Sequence, residues 1–185
     1  VLVGNLGLLM PVREVGMEIH GDFGLNLYNS AAVNAARDLE LASATASFEL
    51  TLPQIRDLGK AVNTEIIAYG RLPLMVTEHC LIKNRTGKCS CQNAAPGTSK
   101  LTDKTGAEFP IIKDGDSCRS VLLNGRKLNW LDRQKDLRKL GLWALRLYFT
   151  TENPKEVDQV LATYENPVPF DPGACTRGLY LRGLE

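Results

Sequence analysis

The sequence predicts an α/β protein built as part of a (β/α) barrel. Short β-rich segments alternate with segments of helical periodicity, and this order forms parallel sheets through right-handed crossovers. The strand segments number four or five, which is too few to close an eight-stranded barrel. The chain also begins with Val1 rather than Met. We therefore expect a fragment that carries part of a barrel.

Five segments have the apolar and β-branched composition of buried strands. They are residues 1–4, 17–20, 43–48, 65–69 and 143–149.

Three segments favour helices. Thr51 is placed to cap a helix that extends to Val62, because the apolar residues between them recur near helical spacing. Asn153 followed by Pro154 is a favourable helix start, since asparagine caps and proline fits the first turn. A third helix is predicted over residues 129–140.

About 70 residues separate the last two strand segments, whereas βα connections are normally short and long loops are usually functional. This insertion, residues 70–128, includes residues 100–102 and 109–112, which are predicted to pair as antiparallel strands. It follows a strand, so it lies at the carboxyl end of the sheet, where α/β barrels hold their active sites. We assign residues 1–165 to a partial barrel domain and residues 166–185 to an extended C-terminal tail.

The composition excludes some function classes. The chain has 22 basic and 21 acidic residues and a net charge of +1, so its overall charge does not favour nucleic acid or a membrane surface. No apolar run reaches the roughly 18 residues of a transmembrane helix. The first residues lack the basic segment and cleavage site of a secretion signal. We expect a cytoplasmic protein without a membrane span.

Four of the five cysteines, Cys80, Cys89, Cys91 and Cys118, lie in the insertion, and Cys175 is alone in the tail. Four soft thiolates in one loop-rich segment suit a tetrahedral zinc ion or an iron–sulfur cluster. The Cys-x-Cys pair is tighter than the usual knuckle spacing, which leaves open whether both members are ligands. The alternative is a set of reduced, partly buried thiols.

A cysteine nucleophile is a rival chemical interpretation, with His79 beside Cys80. Adjacent residues in an extended chain point to opposite faces, whereas a nucleophile and its base must lie within hydrogen-bond reach. His20 at another strand end is the second candidate base. Glu49 and Glu78 are weaker catalytic candidates.

Arg71 and Arg146 lie at or near strand ends and are candidates for binding an anionic co-substrate. The alternative is a structural salt bridge with Glu49 or Glu78. The basic residues between 133 and 139 are interpreted as a solvated helix face, with RNA contact as the alternative, because no aromatic residues are interleaved among them.

Many short motifs together resemble the U32 peptidase family, the collagenase-like proteases. The most specific is the run Tyr-Gly-Arg-Leu-Pro-Leu-Met-Val-Thr-Glu-His-Cys over residues 69–80. Further matches follow in the family's order, at residues 1–5, 21–30, 48–50, 101–110, 122–124, 146–152 and 176–178. The resemblance covers essentially the whole chain.

The resemblance implies the C-terminal half of a TIM-like barrel, whose partner is the remainder of its own barrel. The family is named for proteolysis, but better-understood relatives look like oxygen-independent hydroxylation proteins that act on RNA or the ubiquinone ring. They use a 4Fe–4S cluster held by four cysteines, which here would be Cys80, Cys89, Cys91 and Cys118.

The implied function is therefore that of a 4Fe–4S dependent enzyme that modifies RNA or a small aromatic substrate. Two alternatives stay open. A collagenase-like peptidase would need no cluster, and a non-catalytic module would use zinc to staple its fold.

Overall fold

The computed structural model describes residues 1–88, 97–114 and 118–182. Eleven β-strands occur within these ranges: β1 (Leu2–Val3), β2 (His20–Gly21), β3 (Ser43–Thr45), β4 (Asn63–Gly70), β5 (Pro73–Thr77), β6 (Ser99–Thr102), β7 (Glu108–Asp114), β8 (Arg119–Leu123), β9 (Lys127–Asn129), β10 (Ala144–Tyr148) and β11 (Cys175–Thr176).

The same described ranges contain six α-helices: α1 (Leu9–Glu14), α2 (Ser30–Asp38), α3 (Leu52–Asp57), α4 (Leu81–Thr86), α5 (Gln134–Arg138) and α6 (Pro154–Glu165). Short 3-10 helices span Leu6–Leu8, Phe23–Leu25 and Leu131–Arg133.

The chain divides into two compact units. The first unit comprises Val1–Ala68, Trp130–Leu147 and the chain from Arg177. The second unit comprises Tyr69–Asn129 and Tyr148–Thr176. Strands β4 and β10 therefore begin in the first unit and end in the second.

The first unit contains a parallel sheet in which β1, β2, β3 and β4 neighbour one another in chain order. Helices or 3-10 turns connect each strand to the next, and β10 also pairs with β4. The register places Thr45 opposite Glu65. Parallel strands with intervening helices confirm the predicted α/β class.

Two predicted helix starts are confirmed by complete capping boxes. Thr51 Oγ1 accepts from Gln54 N, and Gln54 Oε1 accepts from Thr51 N at 2.8 Å. Asn153 and Glu156 make the same reciprocal bonds at the start of α6. The prediction for the end of α3 is wrong, because the helix stops at Asp57 and the next residue is extended.

The predicted helix over residues 129–140 is also wrong at its start. Residues 127–129 form strand β9, and Trp130 donates its backbone N–H to Ala68 O at 2.9 Å instead of entering a helix. A 3-10 turn and the short helix α5 follow. Tertiary hydrogen bonding thus overrides the local helical pattern.

Tyr180, in the predicted tail, lies in the core of the first unit. Tyr180 is 1% exposed, and its hydroxyl donates to Ile67 O at 2.8 Å. Its ring packs against Trp130, whose indole N–H donates to Arg177 O at 3.1 Å. A buried tyrosine with its hydroxyl satisfied stabilises a core, so this part of the tail belongs to the fold.

The second unit holds an antiparallel sheet in the order β5, β8, β7, β6. The predicted pairing of residues 100–102 with residues 109–112 is confirmed by the β6–β7 hairpin, in which Leu101 lies opposite Phe109. Strand β9 pairs antiparallel with the end of β4 and parallel with β11.

None of the helices in the described ranges combines the length and the apolar character that crossing a lipid bilayer requires.

Candidate functional site

Cys80 and Cys118 lie at the same end of two paired strands. In the antiparallel β5–β8 pair, Thr77 is opposite Ser120. The chain leaves β5 toward Cys80 and enters β8 from Cys118, so the register brings both cysteines to one end. Leu81 N donates to Ser120 Oγ at 3.3 Å, and this bond links the segment after β5 to β8.

Cys80 is half-buried and Cys118 is exposed. Cys80 precedes α4, and its Sγ accepts from Lys83 N at 3.4 Å. Cys118 adopts a left-handed backbone with φ +57°, which costs a non-glycine residue about 1–2 kcal/mol. Such strained positions cluster at functional sites, where the surrounding structure holds them.

The two cysteines line one small cleft of about 10 Å³, which is room for a single water molecule. Isoleucines form much of its wall, and the complete lining is Cys80, Ile82, Ile111, Ile112, Lys113, Cys118, Arg119 and Ser120. Thiols that face a largely apolar cleft are suitably placed to ligate a soft metal.

Cys89 and Cys91 lie outside the described residues. Helix α4 ends at Gly87 in a left-handed cap with φ +70°, and Lys88 is the last residue described before them. In the described ranges no group of three or more histidine, cysteine, aspartate or glutamate side chains is placed to hold a metal ion. The predicted four-cysteine ligand set therefore stays a prediction.

The other predicted residues near the cleft are exposed. Glu78 forms an ion pair with Arg119 at 3.6 Å, and Arg119 also pairs with Asp114 at 2.9 Å. His79 is exposed, and its backbone N–H donates to Thr77 Oγ1 at 3.2 Å.

Arg146 is held by two carboxylates of the first unit. Its guanidinium forms ion pairs with Asp22 and Glu65, and Thr45 Oγ1 donates to Glu65 Oε1 at 2.7 Å. The expected partners Glu49 and Glu78 are wrong for Arg146, because its guanidinium pairs with Glu65 on β4, which is paired with β10, and with Asp22, which follows β2 of the same sheet. One cation faces two anions, so the group carries a net charge of −1.

His20 and Glu49 also lie in the first unit. The His20 ring contacts Ser43 Oγ at 2.7 Å and Glu18 Oε1 at 3.0 Å. Glu49 donates its backbone N–H to Ser47 Oγ at 3.3 Å. Their catalytic roles stay predictions.

Arg71 binds backbone rather than a carboxylate. Its Nη1 donates to Asn124 O at 2.9 Å and to Gly125 O at 2.5 Å. Its Nε is buried without a hydrogen-bond partner, which is uncommon for a buried polar atom. Glu49 and Glu78 are therefore wrong as its expected partners.

Sequence reasoning missed a cluster in the second unit that we name the Glu152 hub: Tyr69, Lys127 and Glu152. The Glu152 side chain is fully buried and accepts from the Tyr69 hydroxyl at 3.2 Å and from Lys127 Nζ at 3.0 Å. Its other oxygen accepts from Thr150 N at 2.9 Å and Thr151 N at 3.1 Å. Tyr69 and Glu152 fall within motifs of the family resemblance, which is the one sequence signal that marks them.

The pKa values of all three hub residues are shifted from their ordinary values. Burial raises the pKa of Tyr69 to about 12. Burial also acts to raise the pKa of Glu152, but hydrogen bonds from Thr150 and Lys127 outweigh it, and the net pKa is lowered. For Lys127, burial acts to lower the pKa, and the bond to Glu152 reverses this to a net rise. At neutral pH the hub is an ion pair with a neutral tyrosine.

No curated protein and no solved structure matches the chain. The family model of peptidase family U32 matches residues 1–168, which is most of the 185 residues. The predicted resemblance is thereby confirmed, and the chain belongs to peptidase family U32.

Proposed function

We propose that this chain is part of a 4Fe–4S dependent enzyme that hydroxylates RNA or a small aromatic substrate without dioxygen. The observation that carries the proposal is the shared cleft of Cys80 and Cys118. Two cysteines separated by 38 positions lie at the same end of a strand pair and line the same cleft.

Cys80 and Cys118 would supply two ligands, and Cys89 and Cys91 would supply the others. A bound cluster contributes single-electron transfer. Hydroxylation replaces a C–H bond with a C–OH bond and removes two electrons from the substrate, so an electron acceptor or an oxygen donor is also needed. The chain's own part is to present thiolates beside an apolar wall that includes Ile82 and Ile111.

The strand order supports a barrel as the scaffold of this proposal. Parallel strands β1 to β4 neighbour one another in chain order. A doubly wound sheet would instead reverse its order at a switch point. The strands that complete an eight-stranded barrel would come from the rest of the protein.

The family name favours a second candidate function, a peptidase. A peptidase would lose proteolysis when one nucleophile or base is replaced, and it would not depend on a cluster. Anaerobic activity assays on a collagen-derived peptide, with and without iron removal, separate the two candidates.

The deciding experiment is anaerobic purification followed by iron, sulfide and zinc analysis and a visible absorption spectrum. We expect iron and sulfide in the wild type and their loss in Cys80→Ser and Cys118→Ser. Cys175→Ser is the matched control and should retain both. Stoichiometric zinc without sulfide would instead identify a zinc-stapled module and contradict the proposal.

A further inference from the structure

We propose that a second cleft of the second unit binds a medium-chain fatty carboxylate, a small anion with an unbranched alkyl chain. This cleft, which we name the α4 cleft, has a volume of about 200 Å³ and is lined by residues of α4, β6 and β7. The inference goes beyond the proposed function, because it concerns a different cleft and a ligand that needs no metal.

The wall of the α4 cleft is aliphatic. Leu81 and Ile82 line it from α4, and Ile111 lines it from β7. None of the described residues that line the cleft is aromatic. A flat ring would therefore find no partner for stacking here, whereas an alkyl chain is stabilised by burial against any apolar wall. The lining thus favours an alkyl ligand over an aromatic one.

Arg85 brings a cation to this wall. Leu81 and Arg85 are four positions apart in α4, so their side chains are neighbours on one face of the helix. Arg85 is exposed and forms no ion pair with any other described residue. Helix α4 contains no acidic residue, so nothing within the helix neutralises the guanidinium.

Ser99 adds a hydroxyl to the same cleft. It lies directly opposite Ile111 in the β6–β7 hairpin, so the two side chains are on the same face of the sheet. Within the described ranges its hydroxyl has no hydrogen-bond partner. Lys100 also lines the cleft, but its ammonium is bound by Glu108 at 2.6 Å. Arg85 therefore carries the unbalanced positive charge of the described lining.

An unbalanced guanidinium beside an aliphatic wall matches an anion that carries an alkyl chain. Guanidinium groups bind carboxylates through two parallel N–H bonds, and the Ser99 hydroxyl would donate a third. A volume of about 200 Å³ equals roughly six or seven water molecules of the liquid, and a methylene group is similar in size to a water molecule. An inorganic anion would satisfy Arg85 but would leave the apolar wall in contact with water.

The test is isothermal titration calorimetry of the full chain with butanoate, hexanoate and octanoate. Each further methylene that becomes buried should strengthen binding about fourfold. Octylammonium has the same chain as octanoate and the opposite charge, so it should bind about tenfold more weakly. Arg85→Gln should weaken octanoate binding about three- to tenfold and leave the binding of uncharged 1-octanol unchanged.

Ser99→Leu should weaken octanoate and 1-octanol binding at least about tenfold, because its larger side chain fills the cleft. Arg126→Gln is the matched control for Arg85→Gln, since it removes an exposed arginine of the same unit that does not line the cleft. Circular dichroism checks that every variant is folded.

The proposal is overturned if octanoate does not bind, or if it binds equally to wild type, Arg85→Gln and Ser99→Leu. Equal affinities for octanoate and octylammonium would overturn it as well. Iron and sulfide are analysed separately, so failure of this proposal and failure of the proposed function give different results.

Discussion

The Tyr69 hydroxyl donates a hydrogen bond to Glu152 Oε1 over 3.2 Å, although the two residues are 83 positions apart. The same carboxylate binds Lys127, and the Thr150 and Thr151 backbone amides bind its second oxygen. Three segments of the second unit are thus joined by one buried carboxylate.

Replacing Glu152 with glutamine should destabilise the protein by about 2–4 kcal/mol. The substitution keeps the shape but leaves the Lys127 ammonium, which is 19% exposed, without its closest anion. Urea denaturation followed by circular dichroism measures the change in the free energy of unfolding.

Glu156→Gln is the matched control for Glu152→Gln. Glu156 lies 3.7 Å from the same Lys127 nitrogen but is 42% exposed, so losing its charge should cost less than about 1 kcal/mol. Glutamine also preserves the bond to the Asn153 N–H in the capping box. Equal costs for the two variants would contradict a special role for the buried carboxylate.

The hub should make stability fall at both acid and alkaline pH. The pKa of Glu152 is lowered by folding, so its contribution is present above the ordinary value of 4.5 and is lost as the pH falls below it. The pKa of Tyr69 is raised from 10.0 to about 12, so its contribution is present below pH 10.0 and is lost as the pH rises toward 12.

Unfolding free energies measured across pH for wild type, Glu152→Gln and Tyr69→Phe test this dependence. The difference between wild type and Glu152→Gln should shrink as the pH falls below 4.5. Above pH 10.0, wild type should lose stability more steeply than Tyr69→Phe. Parallel curves for all three proteins would show that the hub does not titrate with folding.

Local chemistry made some elements predictable and left others hidden. Thr51 and Asn153 predict the starts of their helices, because a capping box depends only on residues three positions apart in the sequence. Helix α2 was not predicted, since its small alanines give a weak apolar pattern, although Asn29 caps it. Trp130 lies in a helical pattern but is held outside the helix by its backbone bond to Ala68, a partner 62 positions earlier.

In the candidate site, too, some residues could be identified from the sequence, whereas others are brought together only by the fold. Cys80 and Cys118 could be marked as candidates because four of the five cysteines lie in one insertion, and their role as ligands stays a prediction. The partners of Arg146 were not, because Asp22 and Glu65 meet it only through the strand order of the sheet. The Glu152 hub likewise depends on long-range pairing of β4 with β9, for which no local pattern exists.

Gly70→Ala should prevent stable folding or lower the free energy of unfolding by at least about 3 kcal/mol. Gly70 has φ +130°, and an added Cβ would lie 2.0 Å from Tyr148 O, a backbone atom with little freedom to move. Gly87→Ala is the control, because Gly87 has φ +70° and no atom within 4 Å of the added carbon, so only about 1–2 kcal/mol of backbone strain applies. Thermal unfolding measures both, and a milder effect at Gly70 than at Gly87 would contradict the close approach to Tyr148.

Arg146→Gln should lower the free energy of unfolding by about 2–4 kcal/mol, because it leaves the largely buried carboxylates of Asp22 and Glu65 without their cation. Arg37→Gln should cost less than about 0.5 kcal/mol, since that arginine and Asp38 are both exposed.

Removing the Glu65 charge as well should recover part of the loss, since Arg146→Gln combined with Glu65→Gln leaves one unpaired carboxylate instead of two. The double variant should therefore be more stable than the sum of the two single losses, by about 1 kcal/mol or more. A double-mutant cycle in urea measures this coupling. Additive losses would mean that the guanidinium and the Glu65 carboxylate do not stabilise each other in the folded protein.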